Sequence, residues 1–190
     1  MAASDQIRCF FALWPTPEQR ATLVRAAQIL HQRHGGRVMA PDSLHLTLVF
    51  VGQVPLARLP ELMAAGAGVQ APACEVRLDR ASCWRHNRIG CLEARGVPDG
   101  LRALVQGIES GLRQAGLPFD ARVYRPHVTL LRNGDCRPGM EMETTEKESA
   151  EKENPAPEPL LWSARDFVLV RSSLRPEGAR YVELGRWPLL

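Results

Sequence analysis

Two ten-residue stretches constrain this chain more tightly than any other feature. SLHLTLVFVG at 43–52 and RPHVTLLRNG at 125–134 both contain His-x-Thr-Leu, and each has a glycine seven positions after its histidine, Gly52 and Gly134. Most of the letters are those of a buried strand. Side chains on a strand alternate between faces, so His45 and Thr47 point one way while Leu46 and Leu48 point the other. The same holds for His127 and Thr129 against Val128 and Leu130. Each strand therefore offers an apolar face to a core and a His/Thr pair to the opposite side. The two histidines lie 82 residues apart, each near the middle of its half of the 190-residue chain. That spacing predicts two related lobes whose polar faces meet across a groove.

Taken singly, a histidine bonded to a carbonyl and a threonine on a strand need no functional explanation. The repetition does. With six threonines in the chain, two of five histidines followed at the second position by Thr arise by chance in about 1% of shufflings.

The remaining punctuation fills in the lobes. An apolar run, IRCFFAL (7–13), precedes Thr-Pro-Glu-Gln at 16–19, an N-cap, a first-turn proline and a capping-box glutamine in order. The helix so started runs to Gly35-Gly36, with His31 and His34 at its carbonyl end in a structural role. A second helix is expected over 55–65 and a third from Pro98-Asp99-Gly100 to about Gln114. Residues 74–84 alternate as one half-buried strand, and 88–94 pair back onto it through a turn at His86-Asn87, which leaves His86 on the surface. Two closing strands are expected near 165–172 and 179–185. The order β-α-β-α-β-β-α-β-(loop)-β-β is an α+β fold with antiparallel sheets and flanking helices, carried by residues 1–190 as one bilobal domain.

Charge is unevenly spread. Residues 135–160 hold eight acidic and three basic side chains, a net of −5, against +8 for the rest of the chain. Their Glu, Lys and Pro content cannot bury apolar surface, so a mobile acidic insertion is expected there. Both lysines lie inside it, so every cation elsewhere is an arginine, whose planar fork suits phosphate. A codon bias explains the same usage equally well. The N-terminal apolar run is too short for a leader or a membrane span, and a cytoplasmic protein is expected. Five cysteines without a C-x-x-C pair fit reduced core thiols better than a disulfide framework or a zinc ribbon. Cys83 and Cys91 are placed to face each other across a hairpin.

Two facing imidazoles suit displacement of an oxygen leaving group at phosphorus. Their ordinary pKa lies near 6.5, so one ring can be neutral while the other is protonated, a base and an acid in one groove. The threonine hydroxyls can donate to non-bridging oxygens. Arg132, five residues after His127, faces away on a regular strand and reaches the phosphate only through a bulge or a strand end. A di-histidine metal site would want a third ligand, and no nearby motif offers one.

These residues resemble the 2H phosphoesterase superfamily, and RCFFALWP (8–15), SLHLTLVFVG, PHVTLLR and RYVELGRWPL (180–189) narrow the resemblance to its LigT/ThpR-type RNA 2′,3′-cyclic phosphodiesterases, also called 2′-5′ RNA ligases. The resemblance implies hydrolysis of a terminal 2′,3′-cyclic phosphate to a 2′-phosphate, with weak reversible 2′-5′ ligation of tRNA halves and no metal or cofactor. It implies His45 as proton donor, His127 as proton acceptor, and Thr47, Thr129 and Arg132 as the phosphate-binding residues. Phe11 and Phe50 fall where the family stacks the terminal base, although ordinary core packing explains either. RNA ends or cyclic nucleotides are the expected partners of a monomer. The acidic insertion departs from the family pattern and is expected to repel long RNA. Two alternatives stay open: a non-catalytic RNA-binding module, and a relative acting on another cyclic nucleotide or a 2′-5′-linked oligonucleotide.

Overall fold

The computed structural model describes residues 5–136, 142–143, 157–175 and 178–190, so most of the expected acidic insertion lies outside the described residues. The described residues form a mixed α/β fold with two antiparallel sheets. The larger sheet has the strand order β11-β10-β1-β3-β7-β6-β5-β8, with β1 Gln6–Leu13, β3 Leu46–Pro55, β5 Arg80–Trp84, β6 Ile89–Glu93, β7 His127–Arg132, β8 Met142–Glu143, β10 Asp166–Arg175 and β11 Gly178–Pro188. A short β2 (Arg37–Val38) pairs with β7, and β4 (Cys74–Leu78) pairs with β9 (Leu160–Ala164) in a second, two-stranded sheet.

The two motif strands meet at the centre of the larger sheet through one pair, Leu46 opposite Val128. Both side chains are fully buried. Counting outward along the antiparallel register sets His45 across from Thr129 and Thr47 across from His127. The same irregularity then occurs in both strands. Between β1 and β3 the register skips Leu48, and between β6 and β7 it skips Leu130. Two consecutive residues consequently face the core in each motif, Leu48 with Val49 and Leu130 with Leu131. The bulge returns the fifth residue after each histidine, Phe50 and Arg132, to the His/Thr side.

Three helices cover the apolar face. α1 (Pro17–His34) begins at the expected capping box, Thr16 with Gln19, and ends at Gly35. α2 (Leu59–Ala67) follows a short 3₁₀ turn at Leu56–Arg58, and α3 (Asp99–Gln114) packs against α2. The coverage is crossed. α1 connects β1 to the first motif yet lies on β6 and β7, while α3 connects β6 to the second motif yet lies against β3. Each half of the chain thus lends its helix to the other half's strands.

The run 74–84 departs from its reading as one strand. Its alternation continues through Asp79, but the chain changes sheet there: β4 pairs with β9 and β5 with β6. The cysteines also differ from expectation. The register sets Cys83 opposite Gly90 and Cys91 opposite Ser82, so these two thiols point to opposite faces. Cys83 is instead bonded to Cys136, with a Cα–Cα separation of 5.1 Å. The Gly134 backbone, whose N–H donates to the Arg88 carbonyl, brings Cys136 alongside β5. Cys9, Cys74 and Cys91 are free.

Shortening Leu46 to alanine leaves a cavity where the two halves join and should lower the unfolding free energy by about 2–5 kcal/mol. Urea denaturation checks this. A loss below that range would mean that the junction is not packed as described.

Candidate active site

Both motif histidines are held in the same way. The Nδ1–H of His45 donates to the Ser43 carbonyl and that of His127 to the Arg125 carbonyl, each at 2.7 Å and each to the residue two positions earlier. A carbonyl can only accept, so Nδ1 carries a hydrogen in both rings whatever their charge. The neutral ring then has its lone pair on Nε2, and the charged ring has a second N–H there. Either imidazole can serve as base or acid through Nε2, and the backbone fixes which nitrogen does so.

Their surroundings differ. His45 is stacked by Phe10, with ring centroids 4.7 Å apart, and by Trp14 at 5.4 Å and 5° between planes, while Tyr181 meets it edge-on at 5.2 Å. This aromatic cage removes water, and the resulting desolvation holds the imidazole down to a pKa of about 4. The bond to Ser43 opposes the shift, and the charges of His127 and Arg132 add to it. His127 lies 4.6 Å from the Trp84 ring. Burial lowers its pKa too, but Glu93 and the bond to Arg125 pull the other way. The Arg132 charge is felt by both His45 and Tyr181, which places this side chain on the His/Thr side, as its bulge requires.

The expectation for Phe11 does not hold. Its ring is fully buried against Phe167 and Trp187 on the core side of β1. Phe10, the next residue back, faces His45 instead. Phe50 is half-buried on the site side with Arg8 over its ring at 4.7 Å. Thr47 and Thr129 are half-buried beside the opposite strand's histidine, and Arg132 is exposed. His86 is an exposed turn residue and His34 closes α1, bonded to the Asp135 carbonyl. A cleft of about 210 Å³ opens beside the cage, lined by Trp14, Val170, Tyr181 and Glu183. The cage residues come from β1 (Phe10), from the residue that follows it (Trp14) and from β11 (Tyr181), all remote in sequence from the motif. Trp14 lies in RCFFALWP and Tyr181 in RYVELGRWPL, but neither stretch says by itself which of its rings faces the site.

Among the described residues no group of three or more His, Cys, Asp or Glu is placed to hold a metal ion. No described helix is long and apolar enough to cross a membrane.

Two strands that cross at a single rung, each presenting His and Thr on one face of a mixed α/β fold, define the class of phosphoesterases with paired histidines. Similarity to known proteins agrees with this class. The chain belongs to the LigT-like phosphoesterase family, whose model matches it twice, over residues 13–93 and 92–181, once for each half. It is 29% identical over 188 residues to an RNA 2′,3′-cyclic phosphodiesterase of Escherichia coli (strain K12), covering 98% of each chain. To the protein of the same name from Thermus thermophilus it is 28% identical over 198 residues, covering 96% of this chain and 90% of that one. The crystal structure of E. coli LigT in its apo form superposes with a TM-score of 0.74 at 29% identity, covering 98% of this chain and 99% of that one.

In an NMR titration of the ligand-free protein, His45 should become protonated only near pH 4 and His127 at some pH below 6.5. The sign follows from burial, which disfavours the charged ring and so requires more acid to charge it. Trp14→Ala opens the cage and should raise the His45 midpoint. An ordinary midpoint for His45 in the wild-type protein would contradict the caged geometry.

Proposed function

We propose that the protein hydrolyses the 2′,3′-cyclic phosphate at RNA ends, using His45 and His127 as an acid–base pair in a groove between the two halves. The observation that carries this reading is the matched pair of Nδ1–carbonyl bonds, which leaves Nε2 of both rings for proton transfer across one junction. The names of the relatives at 28–29% identity support the substrate.

Water attacks phosphorus as His127 Nε2 takes its proton. His45 Nε2–H protonates the departing O3′, and the products are a 2′-phosphomonoester and a free 3′-hydroxyl. An imidazolium with a pKa near 4 is a stronger acid than an ordinary one, so His45 gives up its proton readily. It gains that proton with the anionic substrate, whose charge favours the imidazolium. Thr47 and Thr129 donate to the non-bridging oxygens and Arg132 balances the charge that grows on them. A 5′-hydroxyl entering in place of water gives a 2′-5′ linkage with the same roles, which is the reversible ligation that the family resemblance implies. The cleft beside Trp14 and Tyr181 receives the terminal nucleoside, since an aromatic wall stacks any base. Phe50 and Arg8 extend the same face.

His45→Ala and His127→Ala should each lower kcat on a cyclic-phosphate-ended RNA by about 10²–10⁴-fold without unfolding the protein, and EDTA should leave the wild-type rate unchanged. Identification of the monoester by phosphorus NMR checks the leaving group. A 3′-phosphate product, or turnover that survives either substitution, would refute the mechanism.

A further inference from the structure

The residue facing His127 from the neighbouring strand is an acid. Glu93, the last residue of β6, is the antiparallel partner of His127 and is only 3% exposed. Side chains of directly paired residues project to the same side with Cβ atoms about 5 Å apart. A carboxylate this far from water is costly unless it is paired and hydrogen-bonded. Three side chains meet that requirement: Ser82 Oγ donates to it at 2.5 Å, an Arg125 Nη donates at 3.1 Å, and Arg80 Nε lies 3.5 Å away. Arg125 is doubly engaged. Its carbonyl receives the His127 Nδ1–H, and its guanidinium lies 4.8 Å over Trp84, the ring that touches His127. β5, β6 and the segment before β7 therefore close on this one imidazole.

We propose that Glu93 is a positioning residue for His127, anchoring Arg125 behind the ring and stabilising the positive charge that the ring acquires when it takes a proton. The inference rests on the acid–base reading of the site. Among the residues whose side chains are described, the charged and titratable groups around His127 are Glu93 and Cys91 from β6, Arg80 from β5, Arg125 and Arg132 from its own strand and its approach, and His45 across the junction. Cys91 is buried and its thiol pKa is pushed up, which keeps it neutral. Of these groups only Glu93 is negative. His45 faces rings, a carbonyl and cations. Two histidines alike in motif and backbone are thereby made unlike in chemistry, and the acid that distinguishes them sits on a strand outside both motifs.

Glu93→Gln tests this, because the amide keeps the size of the side chain and an acceptor for Ser82 and Arg125 while losing the charge. In the full-length variant the His127 protonation midpoint should fall by about one pH unit, with His45 unmoved. kcat on the cyclic phosphate should drop about tenfold or more with KM little changed, and Glu93→Asp should recover part of it. A His127 midpoint that stays put, a shift shared equally with His45, or an unchanged kcat would overturn the proposal. If Glu93→Gln does not fold, Arg125→Gln gives the opposite sign. Removing that cation leaves Glu93 unopposed and should raise the His127 midpoint, and no rise would overturn the proposal. A wild-type protein that leaves the cyclic phosphate intact while its His127 midpoint still responds to Glu93→Gln would overturn the hydrolase reading alone.

Discussion

The rest of the molecule depends on one rung of β-structure, Leu46 against Val128. It is the contact through which β11-β10-β1-β3 on one side and β7-β6-β5-β8, with β2 on β7, on the other become one continuous sheet, and it is buried completely. Because the strands are antiparallel there, the residue on either side of the rung is a histidine on one strand and a threonine on the other. Apolar burial beneath the sheet thereby sets the spacing of the polar groups above it. A slip of one residue would turn all four side chains into the core. The crossed helices make such a slip harder still, since α1 grips the second motif's strands and α3 the first motif's. Stability and site geometry are two consequences of the same packing.

Backbone symmetry does not make the site chemically symmetric. Both rings donate from Nδ1 to a carbonyl two residues back, yet one is enclosed by Phe10, Trp14 and Tyr181 and the other borders Trp84 and Glu93. The positions five residues after each histidine diverge in the same way. Identical bulges return Phe50 to one side and Arg132 to the other, a ring in the first half and a cation in the second. Equivalent positions on the two motif strands thus carry different chemistry.

Much of this was legible in the chain. The alternating faces of both motifs, the Thr16–Gln19 cap of α1, the extent of α3 and the need for a bulge before Arg132 are all local features, and local features are readable. What escaped depends on pairing across long separations. The strand at 74–84 broke because its two halves found partners in different sheets, one of them β9, which begins where the acidic segment ends. Phe10 and Phe11 are indistinguishable as letters, and the face each takes is set by bulges in its pairing with β3. Cys83 and Cys136 are 53 residues apart and meet through the turn at Gly134. Glu93 falls inside the expected strand at 88–94, and its burial depends on β7 and the three donors that surround it.

The central claim is that both imidazoles address one phosphorus at the junction of the two halves. A crystal structure with a nucleoside 2′,3′-cyclic vanadate, a five-coordinate mimic of the transition state, tests it most directly. The account predicts vanadium above the Leu46–Val128 rung, with Nε2 of His45 and of His127 on opposite apical oxygens and both Nδ1 atoms still bonded to Ser43 and Arg125. A vanadate held by only one of the two histidines, or seated away from that rung, would contradict it.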